Sequence, residues 1–373
     1  MSQVSTFHNN CVNNVLFPLL RNELWGGHFN QEIDNQDLKI VLRISREQTV
    51  FGLVFNALQA NHIILNRKLA IQAIALQNQI QLQNERINHE MVDFLRQMDE
   101  RQIDYLVIKG QTIASMYPHP EMRMPGDVDF LIKEDFDIIR DKFKSYYNIQ
   151  LPSYTKYKKD YAFHRNKVTF EIHSYLITFG SSTNTKYWNE LISNCWNQKY
   201  IVNVLDTEIR TLPPNLYAIY IFLHLFFHFI REGVGLRQFC DWAVLLNYYY
   251  QEIDVAEIEK ILTHLDMIKA YKAFGSIVVH ELGLPANKFP LEITAKDRKW
   301  GVKILQSVMQ NGNFGKLNHT AKHTGLIFKL ETALVAIRNV LTYFPLAPRD
   351  LRNYLPRLIK GNIVLFIKRK NSI

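Results

Sequence analysis

Cysteine is scarce in this chain. Its 373 residues hold three, Cys11, Cys195 and Cys240, scattered and without metal-ligand spacing. An odd, dispersed set argues against a disulfide framework and fits a reducing compartment. Long apolar runs are missing too. The longest, residues 218–230, is interrupted by His224 and His228, is too short to span a bilayer, and reads as a buried helix. The first residues lack the basic and apolar stretches of a secretory signal, so the expectation is a soluble cytoplasmic protein. No internal repeat is present. Acids are the minority charge, 35 against 44 Lys and Arg, for a formal net charge of +9. With 47% apolar and 21% charged residues, the composition is that of a folded chain with material for two or so domains.

Against that background one stretch stands out, Pro125-Gly126-Asp127-Val128-Asp129-Phe130-Leu131-Ile132. Val128, Phe130, Leu131 and Ile132 read as a buried strand, a setting in which acids are rare. Strand side chains alternate, so Asp127 and Asp129 are expected on one side with Cα atoms roughly 7 Å apart. Two like charges there each resist ionising unless a cation sits between them, and hard carboxylate oxygens suit Mg²⁺. The pair therefore asks for a divalent metal and a phosphate-bearing substrate. An isolated Asp-x-Asp also fits a strand start in which one acid caps a turn and the other is solvated.

Upstream, residues 104–110 read as a strand ending Lys109-Gly110, followed by a short helix over 111–117 that is closed by Pro118 and Pro120. Glycine at such a junction lets backbone approach a ligand, free N–H groups of the next helix favour an anion, and Lys109 adds a mobile positive charge. An ordinary tight turn with a surface lysine fits as well. Downstream, residues 161–165, a turn at Asn166-Lys167 and residues 168–173 read as a β-hairpin. In its second arm Val168, Phe170 and Ile172 alternate with Thr169, Glu171 and His173. Glu171 shares a face with the acid pair if the strands are neighbours, and a third carboxylate there binds metal and helps deprotonate an acceptor hydroxyl. Its alternative is an exposed strand acid beside Lys167 or Thr169.

Together these features resemble the polymerase-β-like nucleotidyltransferase superfamily, and more narrowly its bacterial branch of largely uncharacterised nucleotidyltransferases. That branch carries a strand ending Lys-Gly, a short helix, an Arg shortly before Asp-hydrophobic-Asp, and a later Glu-hydrophobic-His. Here these are Ile108-Lys109-Gly110, Arg123, Asp127-Val128-Asp129 and Glu171-Ile172-His173, within about residues 100–175. His228 and the run from Leu236 through Arg237 and Asp241 to Ala243 resemble the branch's helical part. The wider superfamily has Gly-Ser or Gly-Gly after its first strand; this chain has Gly110-Gln111-Thr112, which leaves Lys109 and Arg123 to supply part of the phosphate grip.

The resemblance implies an α+β fold: a small mixed β-sheet core over 101–212, an N-terminal helical segment over 1–100 packed on it, and a C-terminal helical domain with a basic tail over 213–373. It implies Mg²⁺ or Mn²⁺ held by Asp127, Asp129 and Glu171, an NTP bound with help from Lys109, Gly110 and Arg123, and an unidentified hydroxyl acceptor. His173, His228, Arg237 and Asp241 would orient substrate or brace a cleft; a salt bridge or core hydrogen bond suits the three helical residues equally. His224 and His228 lie one turn apart as in zinc-binding helices, but Leu225 stands where a metalloprotease needs Glu.

Helical periodicity covers 7–24, 38–60 and 63–100, the last with Ile80, Ile87, Met91, Leu95 and Met98 on one side and a Gln/Asn-rich middle expected to be exposed. Residues 135–147 read as a helix, 201–212 as a strand pair, and helices follow from Pro213 on. Positive charge gathers after Arg349 and around Lys156, Lys158, Lys159, Arg165 and Lys167, the second group interleaved with Tyr154, Tyr157 and Tyr161. Basic residues among aromatics suit a nucleic-acid backbone or a triphosphate, and a solvated loop with a basic tail equally. Two other functional classes follow: a nucleotide- or RNA-binding regulatory or toxin-like module on the same fold, and a scaffold without activity.

Overall fold

The computed structural model describes residues 12–153, 159–312, 326–354 and 356. Cys11, Tyr154, Lys156, Tyr157, Lys158 and the tail basic residues from Arg357 on lie outside them. The chain divides into two compact units, Met1–Leu176 with Asn194–Tyr217, and Ile177–Ser193 with Ala218–Ile373.

The first unit opens with helices α1 (Phe17–Trp25), α2 (Asn35–Glu47), α3 (Phe51–Ala60) and α4 (Arg67–Glu100). Asp34 caps α2 by accepting the Asp37 N–H, and Asn66 caps α4 through the Leu69 N–H, which sets its start at Arg67 instead of 63. Residues 38–60 form two helices, not one, because Thr49 turns the chain at φ +57°. The Gln/Asn-rich middle of α4 is exposed at Asn78, Gln79 and Gln83 as expected, but Gln77 and Asn84 are buried and hydrogen-bonded.

A four-stranded mixed sheet follows, from β1 (Tyr105–Val107), β2 (Val128–Ile132), β3 (Asp160–Arg165) and β4 (Val168–His173), in the order β1-β2-β4-β3. Only β2 and β4 run parallel. The one-turn helix α5 (Gln111–Ala114) and α6 (Phe136–Tyr147) complete this part. Asn166 and Lys167, at φ +47° and +67°, join β3 to β4. Phe130, Phe163 and Phe170 point to one sheet face and meet Phe94 of α4 and Phe143 of α6, with the Phe94 and Phe170 centroids 5.2 Å apart. Tyr161 is stacked on Phe136 in this core, so it is no platform for bases. Arg165 is taken up by Asp93 and Glu90 of α4. A ribbon of β5 (Tyr200–Val204) and β6 (Thr207–Thr211) covers the β1 edge, where the Thr211 hydroxyl donates to the Val107 carbonyl at 2.8 Å.

The second unit is helical: most of α7 (Ser182–Cys195), α8 (Pro214–Arg231) from Ala218 on, α9 (Leu236–Tyr249), α10 (Val255–Leu265), α11 (Ile268–His280), α12 (Ala295–Asn311) and α13 (Leu326–Tyr343). Helix α8 is apolar nearly all round, and Phe222 on it meets Trp242 and Tyr271 with centroids 5.5 and 4.9 Å away. Among the described residues no helix is long and apolar enough to cross a membrane.

Candidate active site

The second face of the sheet carries the acidic residues. In the parallel ladder Asp129 pairs with Glu171 and Leu131 with His173, so Asp129, Glu171 and His173 leave the strands on the face opposite Phe130 and Phe170. One donor atom from each lies within 4.8 Å of the other two. Asp129 is 3% exposed and His173 1%. His173 Nε2 donates to Asp129 Oδ1 at 2.8 Å and stands 3.8 Å from Glu171 Oε2. Lys109 Nζ reaches the same Asp129 oxygen at 2.9 Å.

These contacts set the charges. Burial alone would raise the Asp129 carboxyl, but the Lys109 ammonium and the His173 hydrogen bond overcome it and hold the group well below the usual carboxylate range. Burial lowers His173 despite Asp129, so its imidazole is neutral with the proton on Nε2. Its Nδ1 is buried and has no hydrogen-bond partner among the described residues. Glu171 is pushed up to about 7 by burial, then by the nearby charges of Asp129, Asp127 and Asp160. That repulsion is what a divalent cation would relieve. Two carboxylates flanked by an oriented imidazole form a donor set that fits one.

The other residues singled out from the sequence fall as follows. Asp127 precedes β2 and is exposed, so it stands outside the ladder and outside the tight donor group, yet near enough to raise Glu171. Gly110 sits at φ +77°, and a Cβ there would come within 2.9 Å of the Asp127 carbonyl oxygen, so the Lys-Gly turn touches the backbone of the acid arm. Helix α5 is a single turn, shorter than the sequence suggested. Arg123 is 4% exposed, and its carbonyl accepts from Asn84. His228, Arg237 and Asp241 lie in the helical unit, Asp241 buried and the other two half-buried. His228 faces His224 at 4.4 Å between ring centroids and Glu232 at 3.7 Å; among the described residues neither histidine joins a metal-ligand group.

Sequence reasoning missed Asn84 and Gln111, which tie the loop around Arg123 to α4 and to the Lys-Gly turn. A signal was available: continuing the apolar stripe of α4 backward in steps of four and three lands on Asn84 and Gln77.

A solved structure of an antigenic nucleotidyltransferase-like protein from Paracoccidioides brasiliensis is similar at 14% identity and a TM-score of 0.33, covering 52% of this chain and 93% of that one, too remote to carry an argument. No curated protein matches. A family model described as uncharacterised nucleotidyltransferase matches residues 34–282, from the cap of α2 to just past α11, and so takes in the sheet, the acidic face and helices α7 to α11. Over two thirds of its length, then, the chain belongs to the uncharacterised nucleotidyltransferase family.

Proposed function

We propose that this protein is a divalent-metal-dependent nucleotidyltransferase of the polymerase-β-like type, moving an NMP from an NTP to a hydroxyl acceptor with release of pyrophosphate. The observation that carries this reading is the parallel register of Asp129 with Glu171, which gathers two carboxylates and His173 on one sheet face beside a Lys-Gly turn. Asp129 and Glu171, with Asp127 at the rim, would hold Mg²⁺ or Mn²⁺. Such a cation neutralises charge on the triphosphate as it grows on the departing pyrophosphate.

The chain's own residues do the rest. His173 holds Asp129 in one orientation through Nε2–H and keeps it ionised. Lys109 sits on a stem long enough to turn from Asp129 to phosphate oxygens, and Gly110 lets those oxygens approach the backbone. Arg123 supports the loop that bounds the triphosphate. Glu171, on the same face, would help take up the proton of the acceptor hydroxyl. The acceptor oxygen then bonds to the α-phosphorus, the bond from that phosphorus to the bridging oxygen breaks, and pyrophosphate leaves with the electron pair. His228, Arg237 and Asp241 are proposed to select the acceptor. The expected setting is the cytoplasm.

The test is label transfer from each of the four α-³²P NTPs with Mg²⁺ or Mn²⁺. Asp129→Asn is expected to cut incorporation at least a thousandfold, and Asp127→Asn to do so in the same assay, while circular dichroism stays that of the parent. Full incorporation by both variants would refute the metal role.

A further inference from the structure

The N-terminal helices carry a polar set that neither a simple core nor the chemistry accounts for. In the buried stripe of α4, Gln77 and Asn84 occupy positions otherwise filled by Ala73, Ile80, Ile87 and Met91. A buried amide is tolerated when its hydrogen bonds are made, and an aliphatic residue would fill such a position without that condition. Asn84, 2% exposed, makes them. Its Nδ2 donates to the carbonyls of Glu121 at 2.9 Å and Arg123 at 2.8 Å, and its Oδ1 accepts from Gln111 Nε2 at 3.4 Å. Gln111 also donates to Asn88 Oδ1 on the next turn of α4. Gln77 Nε2 reaches Met122 Sδ at 3.4 Å. From α3, Gly52 packs so close that a Cβ there would lie 2.1 Å from the Met122 carbonyl oxygen.

These bonds join two stretches of chain that meet at the site. Gln111 follows Gly110, the loop 121–123 leads to Asp127, and Gly110 abuts the Asp127 carbonyl. The sheet ladder covers Asp129, Glu171 and His173 but ends at Val107 on β1 and Val128 on β2, so Gly110 and Asp127 lie beyond it.

We infer that Asn84 is a positioning residue for a polyphosphate chain: it sets the spacing between the Lys109–Gly110 turn and the Arg123–Asp127 arm, while the sheet alone positions the cation-binding carboxylates. The inference rests on the proposed triphosphate site and adds to it a division of labour. The N-terminal helices shape the phosphate grip, and the strands shape the metal grip.

The full-length protein is titrated first with Mn²⁺ and then with inorganic tripolyphosphate as its Mn²⁺ complex. Asn84→Leu and the isosteric Asn84→Asp are expected to weaken tripolyphosphate tenfold or more while Mn²⁺ affinity stays within threefold. Gln111→Met, which cuts the link from the turn side, is expected to act in the same direction and keeps the test alive if Asn84→Leu does not fold. Ile80→Ala removes apolar volume from the same stripe; it is expected to lower thermal stability and leave both affinities unchanged. Folded Asn84 variants that bind tripolyphosphate like the parent would overturn the inference, and so would an equal loss in Ile80→Ala. Lys109→Ala separates the two levels. If it weakens tripolyphosphate and the Asn84 variants do not, the positioning role alone falls; if it has no effect, the phosphate site falls and the positioning role with it.

Discussion

Two buried regions, one in each unit, enclose different things. Around Asp129 the first unit encloses ionised and polar groups that hold one another: Lys109 and His173 on one carboxylate oxygen, Asn84 on two carbonyls. Around Phe222 the second encloses rings, with Trp242, Tyr271 and Phe289 in edge and tilted contacts and the Trp242 N–H spent on the Ala218 carbonyl. A core of rings is stabilised by area and packing, and needs no ligand to be complete. Around Asp129 the described residues leave the repulsion at Glu171 unrelieved, which supports the proposed cation site. The contrast supports the metal chemistry proposed for the first unit, and around Phe222 it marks a packed core of the second.

The most forceful way to break that contrast is to remove a ring. Trp242 is fully buried, and Trp242→Ala is expected to destabilise the protein by about 3–5 kcal/mol. Its described contacts all lie within the helical unit, so Mn²⁺ affinity measured under folding conditions should change less than twofold. Urea midpoints and Mn²⁺ titration check both. A large loss of Mn²⁺ affinity in folded Trp242→Ala would show that the division is false.

A second substitution sharpens the contrast at the acidic face. Glu171 has its pKa raised from 4.5 to about 7, so between those values the folded state binds more proton than the unfolded chain. Stability then falls as pH rises through this window, and the loss is complete above pH 7. Glu171→Gln removes the charge, and in chelator above pH 7 it is expected to stabilise the protein by on the order of 2 kcal/mol, allowing for partial solvent screening. Near pH 4.5 the two proteins should melt together. Adding Mn²⁺ should reverse the order by stabilising only the parent. Melting curves from pH 4.5 to 8, with and without Mn²⁺, read all three; a gap between the proteins that does not vary with pH would contradict the electrostatic account.

Much of this site was legible because strands and acids make a loud combination. The Asp127-Val128-Asp129 stretch, the Asn166-Lys167 hairpin and Glu171 could be placed from alternation alone, and the structure puts Asp129 and Glu171 in register. The destination of Lys109 was not legible, since nothing local says that its ammonium rests on Asp129 and not in solvent. Asp127 was expected on the strand beside Asp129, but Pro125-Gly126 carries it outside the ladder. Helix α7 escaped notice because it opens with Ser, Thr and Asn, poor helix formers; Ser181 supports that start by accepting the Asn184 N–H at its hydroxyl and the Thr185 hydroxyl at its carbonyl. The break between α2 and α3 carries neither Gly nor Pro, so Thr49 at positive φ gave no warning.

Backbone conformation separates the units in the same way, and supplies the smallest effect. Apart from Asp266, every described non-glycine residue with positive φ belongs to the first unit. Leu205, at φ +48° in the turn between β5 and β6, is exposed and a poor occupant of that region, whereas asparagine tolerates it. Leu205→Asn is therefore expected to raise stability by about 0.5–1 kcal/mol. Asp266 at φ +60° ends α10, but its carboxylate accepts the Arg349 N–H at 3.2 Å, so Asp266→Gly loses a bond as it relieves the backbone and should be nearly neutral. Equal gains from both substitutions, read from urea midpoints at constant m, would mean that the Arg349 contact contributes nothing and that strain is spread evenly across the chain. A gain confined to Leu205→Asn would place the relievable strain in the first unit, which also holds the repulsion at Glu171.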